Sequence, residues 1–156
     1  MTQSVVSARP FLNRAAPEVY ASLLRLADES AAFAASVGVA PTTLELVKIR
    51  ASQINGCAFC LRMHVREAVA LGESSDRLAV VAAWRETGYF SAAERAALAI
   101  AERTTSIGSR LGGLEDDTSA LNAEQIAAVE WAAIAINAFN RVSILSGFPV
   151  HAGGAA

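Results

Sequence analysis

The chain has 156 residues, 13 Lys and Arg against 15 Asp and Glu, and a formal net charge of −2, a size that suits one domain, 1–156, with a real apolar core. A hydrophobic share of 53% against 18% charged residues excludes general disorder. Cations scattered without a basic run or aromatic platform exclude a nucleic-acid footprint, and no apolar run is long enough to span a bilayer, so neither nucleic acid nor membrane is an expected partner.

Residues 1–20 show no basic start followed by an apolar block, and a cytoplasmic location is expected. After an N-terminal arm, 1–16, "PEVYASLLRLADESAAFAASVG" predicts a helix over 17–38. Val19, Leu23, Leu26, Ala27 and Phe33 recur at near-helical spacing, Pro17 suits a first turn and Gly38 a stop. A core region over 41–110 follows. In "PTTLELVKIRASQING", Thr42 is the expected N-cap, Leu44, Val47, Ala51 and Ile54 form one stripe, and Asn55-Gly56 ends the helix beside Cys57.

Three further helices are expected: "CAFCLRMHVREAVALG" to Gly72, "SSDRLAVVAAWRETG" from a serine cap to Gly88, and "SAAERAALAIAERTT" from a capping box of Ser91 and Glu94. "SIGSRLGGLEDDTSA" reads as a long loop. A last, longest helix over 122–148 opens on Asn122 and Gln125, a second capping box. No segment alternates as a strand does, so the fold class is all-α, and the alanine-rich faces suit close helix packing, part of it between subunits.

The chemistry gathers at Cys57, Cys60 and His64. Two cysteines are too few for a disulfide scaffold. Separated by three and four residues, the three side chains stack on one face of a helix that begins near Cys57. A helix N-terminus and a neighbouring imidazole both favour a thiolate, and a second thiol two residues away can resolve a sulfenic acid or mixed disulfide. The same residues can instead be buried apolar cysteines with a core histidine. They can also be three of four zinc ligands, completed by Glu45 or His151, although no second Cys/His pair marks such a site.

Glu45 has two readings. Thr42 to Glu45 spells a capping box. Alternatively, if the two helices fold back at Asn55-Gly56, Glu45 lies about 15 Å down one arm and His64 about 10 Å down the other, and the carboxylate can orient the ring directly or through a water. Trp84, Phe139, Asn140 and Arg141 are candidates for a pocket lining, though at helical spacing such residues more often pack the core. No Gly-rich strand-to-helix turn calls for a dinucleotide, and no cofactor is expected.

With "LELVKIRASQINGCAFCLRMHVREAVALG" in view, the pattern of Glu, eleven residues, C-x-x-C-x-x-x-H resembles the alkylhydroperoxidase D (AhpD) branch of the carboxymuconolactone decarboxylase family. "WRETGYFSAAERAALAIAERTT" and "INAFNRV" extend the likeness from about Pro41 to Phe148. The resemblance implies an AhpD-like bundle of about six to seven helices, a trimer or hexamer with its site near subunit contacts, and antioxidant peroxidase activity. It implies that Glu45 acts through His64 to deprotonate Cys60, which attacks a hydroperoxide, and that Cys57 closes the disulfide. A dithiol reductant such as a lipoylated protein, and a peroxiredoxin, are the implied partners. Phe59 departs from the pattern, because enzymes of the mycobacterial type carry a relay histidine there. The decarboxylating branch lacks the cysteine pair.

Overall fold

A computed structural model describes residues 9–108 and 117–152, and among these every regular element is helical. Seven α-helices, α1 (Leu12–Ala15), α2 (Pro17–Ser36), α3 (Pro41–Asn55), α4 (Ala58–Ala70), α5 (Ser75–Ala79), α6 (Ala92–Thr105) and α7 (Ala123–Ser146), are joined by one 3₁₀ segment, Val81–Glu86, between α5 and α6. The expected loop after Thr105 and the terminal tail lie partly outside the described residues, as does half of the N-terminal arm, residues 1–8.

Helix α3 occupies the middle of the bundle, packed by α4, α6 and α7. Its position follows from its burial: Thr43, Leu44, Glu45, Leu46, Val47, Ile49, Ala51 and Ser52 are all buried, on nearly every side of the helix. One apolar cluster joins α2, α3, α6 and α7 through Ala34, Val47, Ile100 and Val129. A second joins α3 to α4, α5, the 3₁₀ segment and α6 through Leu46, Ala68, Trp84 and Leu98. The third is small and contains both cysteines with Ala51 and Ile136, flanked by Phe59 and Phe139.

The starts of α6 and α7 are as expected. Ser91 and Glu94, and Asn122 and Gln125, form reciprocal capping boxes, and α7 is the longest helix described at 24 residues. Gly56 closes α3 at φ 68° and Gly38 follows α2 at φ 78°, backbone that glycine adopts without penalty.

Three expectations need correction. Thr42 does not cap α3: the helix begins at Pro41, one turn position earlier, with Ala40 as an N-cap that offers no side-chain bond. Proline is suited to that first position because its missing N–H has no helical partner to lose. The stripe assigned to α2 is partly rotated: Leu23, Leu26 and Ala27 are half-buried, but Val19 is 71% and Phe33 37% exposed, whereas Ser30 and Ala34 are buried. The segment from Ser75 to Gly88 is not one helix. It breaks at Ala83 (φ −116°, ψ 29°), after the β-branched pair Val80-Val81, whose stiff χ1 disfavours the helix. The break seats Trp84 in the core, where its indole donates to Glu102 Oε1 at 3.0 Å, and Arg95 satisfies the freed carbonyls of Trp84 and Thr87 at 3.0 and 3.1 Å.

Candidate active site

The α3–α4 hairpin is built by a reversal at one glycine. Gly56 turns the chain, the amide of Cys57 donates to Ser52 O at 3.0 Å, and Cys57 becomes the N-cap of α4. Its sulfur, in the place usually taken by a hydroxyl or carboxylate, accepts the Cys60 amide at 3.5 Å. Cys60, His64 and Ala68 then follow at helical spacing as the buried residues of α4. Both cysteines are free thiols and 1% exposed.

Across the hairpin Glu45 reaches over from the second turn of α3. Its Oε2 is 2.8 Å from His64 Nδ1, and its Oε1 accepts from Lys48 Nζ at 2.7 Å. The contact with the ring is direct. Because Thr42 is not the cap, Glu45 is not occupied by capping, and of its two readings the ring contact is the one found. Burial raises the Glu45 carboxyl pKa, but the hydrogen bonds from His64 and Lys48 outweigh it and leave the group below its ordinary range.

The two thiols are pushed apart. The Cys57 thiol, hydrogen-bonded to Cys60, lowers the Cys60 pKa; burial opposes it, Ser143, Asn140 and the charge of His64 assist, and the result is a pKa of about 6. Cys57 moves the opposite way, raised by that same bond to Cys60 and by burial. Of the two thiols, Cys60 is thus the more acidic and Cys57 the one that keeps its proton.

Cys60 opens on a cavity of about 290 Å³. His64, Lys48 and Glu67 stand on its wall beside the thiol. Tyr20, Leu24 and Ala27 come from α2, Ile136, Phe139 and Ser143 from α7, and Phe59 packs edge-on against Phe148 with centroids 5.2 Å apart. Ser143 Oγ lies 3.4 Å from Cys60 Sγ.

Of the pocket candidates, Phe139 lines the cavity. Asn140 is buried behind it, donating to Ser52 Oγ at 3.0 Å and accepting from Asn55 at 2.9 Å. Trp84 belongs to the second core cluster, and Arg141 is exposed and donates to Asn137 O at 2.8 Å.

Glu67, Lys48 and Ser143 escaped the sequence reading. Glu67 and Lys48 were findable in principle, each one helical turn from a chosen residue, at His64 plus three and Glu45 plus three. Ser143 carries no local signal. Among the described residues, the His, Cys, Asp and Glu side chains whose donor atoms converge within 4.8 Å are Glu45, His64 and Glu67. Neither cysteine nor His151 joins them, so the alternative four-ligand zinc set is not assembled among the described residues.

Residues 17–103 match the carboxymuconolactone decarboxylase family, a stretch that runs from the start of α2 into α6 and contains all of the hairpin. The chain belongs to that family. Its structure is similar to a crystal structure from Agrobacterium tumefaciens of a protein of unknown function, described as a candidate antioxidant defence protein AhpD. The TM-score is 0.79 at 31% identity, over 93% of this chain and 100% of the other. The AhpD-like branch of the carboxymuconolactone decarboxylase family is thus where the chain falls. It is also 48% identical over 69 residues to the uncharacterized protein YdfG of Bacillus subtilis (strain 168). That match covers 44% of this chain and 47% of YdfG, so the chain aligns with about half the length of this curated relative.

Proposed function

We propose that the protein is a thiol-dependent antioxidant oxidoreductase that reduces an organic hydroperoxide and cycles Cys57 and Cys60 between dithiol and disulfide. The observation that carries this reading is the asymmetry of the thiols. Cys60 faces the cavity with a pKa of about 6, while Cys57 caps the helix behind it and holds its proton.

In the first step a sulfur lone pair of the Cys60 thiolate forms an S–O bond to the distal oxygen of the hydroperoxide. The O–O bond breaks, its electron pair goes to the alkoxide, and His64 supplies the proton that releases an alcohol. In the second step the Cys57 thiol attacks the sulfenic acid, the disulfide forms, and hydroxide leaves as water with the Cys57 proton. Glu45, bonded to Nδ1, holds the ring's orientation. An external dithiol, of which a lipoylated carrier protein is one kind, returns two electrons, and a peroxiredoxin is a further partner of this reading.

Phe59 does not relay a proton. It forms an apolar wall with Phe148, which leaves the proton work to His64 and its carboxylates. A lyase acting on a carboxylated lactone is less well served, because Lys48, the cation on the cavity wall, is already paired with Glu45. The reading includes a homo-oligomer, trimer or hexamer, in a reducing cytoplasm, supported by exposed Trp131, Ile134 and Leu145 along one face of α7.

Stoichiometric cumene hydroperoxide added to reduced protein should remove both thiols. Cys60→Ser should abolish the loss, and Cys57→Ser should stop at a sulfenic acid that dimedone traps. Thiols that persist in excess peroxide would refute the proposal.

A further inference from the structure

Two carboxylates meet one ring nitrogen. His64 Nδ1 is 2.8 Å from Glu45 Oε2 and 2.9 Å from Glu67 Oε2. A single N–H cannot serve two acceptors well, so the proton there is shared among three groups with two alternative partners for the ring. The two partners differ in one respect. Glu45 and His64 have side chains 7% exposed, whereas the Glu67 side chain is 50% exposed while its carboxylate also stands on the cavity wall.

We infer that Glu67 is the proton conduit of the site, passing protons between bulk water and His64 Nδ1 each time the thiol pair is oxidised or reduced. The inference rests on the redox reading above and adds a residue to it. The two half-reactions give such a route a proton to carry in each direction. Cys60 thiolate, hydroperoxide and one proton give sulfenic acid and alcohol, and Cys57 thiol with that sulfenic acid gives disulfide and water. Each oxidation therefore takes one proton from solvent, and each reduction by an external dithiol returns one. As Nε2 of His64 gives its proton to the leaving alkoxide, a proton arriving at Nδ1 keeps the ring from becoming an anion, and that proton must enter from outside because the ring and its inner carboxylate are both buried.

The other groups around the ring do not offer the path. Lys48 pairs with the far oxygen of Glu45, Oε1, one group further from the ring. Helix α2 presents Tyr20 to the cavity, and α7 presents Ala132, Ala135, Ile136, Phe139 and Ser143, none of them charged. Glu67 lies one turn beyond His64 on α4, bonded on one side and wet on the other. It acts through His64 rather than on substrate.

The test is single-turnover disulfide formation in wild-type protein and Glu67→Gln, followed by stopped flow with a pH-indicating dye, in dilute buffer and with added imidazole. The glutamine keeps the size and a hydrogen bond but cannot carry a proton. Wild type should be fast and indifferent to imidazole. Glu67→Gln should be slowed about tenfold in dilute buffer, with proton uptake lagging, and should recover as imidazole is raised. Its alkylation pH profile at Cys60 and its thermal midpoint should match wild type. A variant as fast as wild type in dilute buffer, or one slowed equally at every imidazole concentration, would overturn the inference. Failure of the wild type itself to lose thiols identifies the redox reading as the part that is wrong.

Discussion

Replacing Ser143 with alanine isolates what one hydroxyl does for the reactive thiol. Its oxygen, 3.4 Å from Cys60 Sγ in a buried site, is placed to donate to a thiolate. Hydrogen bonds to charged groups contribute about 1.5–3 kcal/mol, and a long bond to sulfur falls at the weak end, about 1.5 kcal/mol, which is about one pKa unit. Ser143→Ala should therefore move the Cys60 titration from about 6 to about 7. Because thiolate nucleophilicity rises with basicity, with a Brønsted slope of about 0.4–0.5, the variant's fully ionised thiol should react about threefold faster. The two effects oppose each other across the pH range. Iodoacetamide alkylation of the reduced protein with Cys57 in place, read at Cys60 by mass spectrometry, should find Ser143→Ala about threefold slower at about pH 5, equal near about pH 6.5, and about 2.5-fold faster at about pH 8. Profiles that superimpose would refute the assignment of Ser143 as a donor to the thiolate. A uniform change at every pH would point instead to altered access.

Two more outcomes follow from the hairpin and the caps. The Glu45 pKa is lowered on folding, so its contribution to stability is complete above its unfolded value of 4.5 and is lost as pH falls through the depressed folded value. Glu45→Gln should flatten that acid limb in thermal melts and slow peroxide turnover by about a hundredfold, and an unchanged acid limb would contradict the His64 and Lys48 pairing. Asn122→Ala should cost about 1 kcal/mol because the side chain caps α7, whereas Thr42→Ala, inside the first turn of α3, should cost well below that; denaturant midpoints distinguish them, and equal losses would restore Thr42 as a cap.

What was legible in the sequence was local. Gly56, Ser91, Glu94, Asn122 and Gln125 announce helix ends through side-chain and backbone chemistry that acts within four residues, and the spacing of Cys57, Cys60 and His64 needs only the pitch of a helix. Thr42 misled because its capping-box spelling competes with Pro41, and nothing short of the fold decides between a threonine N-cap and a proline at the first helical position. The rotated face of α2 and the break at Ala83 are decided by tertiary partners. The cavity draws on Tyr20 and Ala27, and the seating of Trp84 depends on Glu102 and Arg95, 18 and 11 residues away. Ser143 was out of reach for the same reason, because 83 residues separate it from Cys60.

The site is divided along the chain in a way that separates what it does from what it accepts. Glu45, Cys57, Cys60, His64 and Glu67 all lie within one hairpin turned at Gly56, with Ser143 and Asn140 reaching the Cys60 thiol from α7. Much of the cavity wall, by contrast, comes from α2 and α7, the first long helix and the last. Tyr20 and Leu24 of α2 lie outside the cluster that holds both cysteines, whereas Ile136 and Phe139 of α7 pack in it. Selectivity can therefore be redesigned on α2 with the proposed redox chemistry left as it stands, and a loss of thiol reactivity on such a change would signal a disturbed hairpin rather than a reshaped pocket.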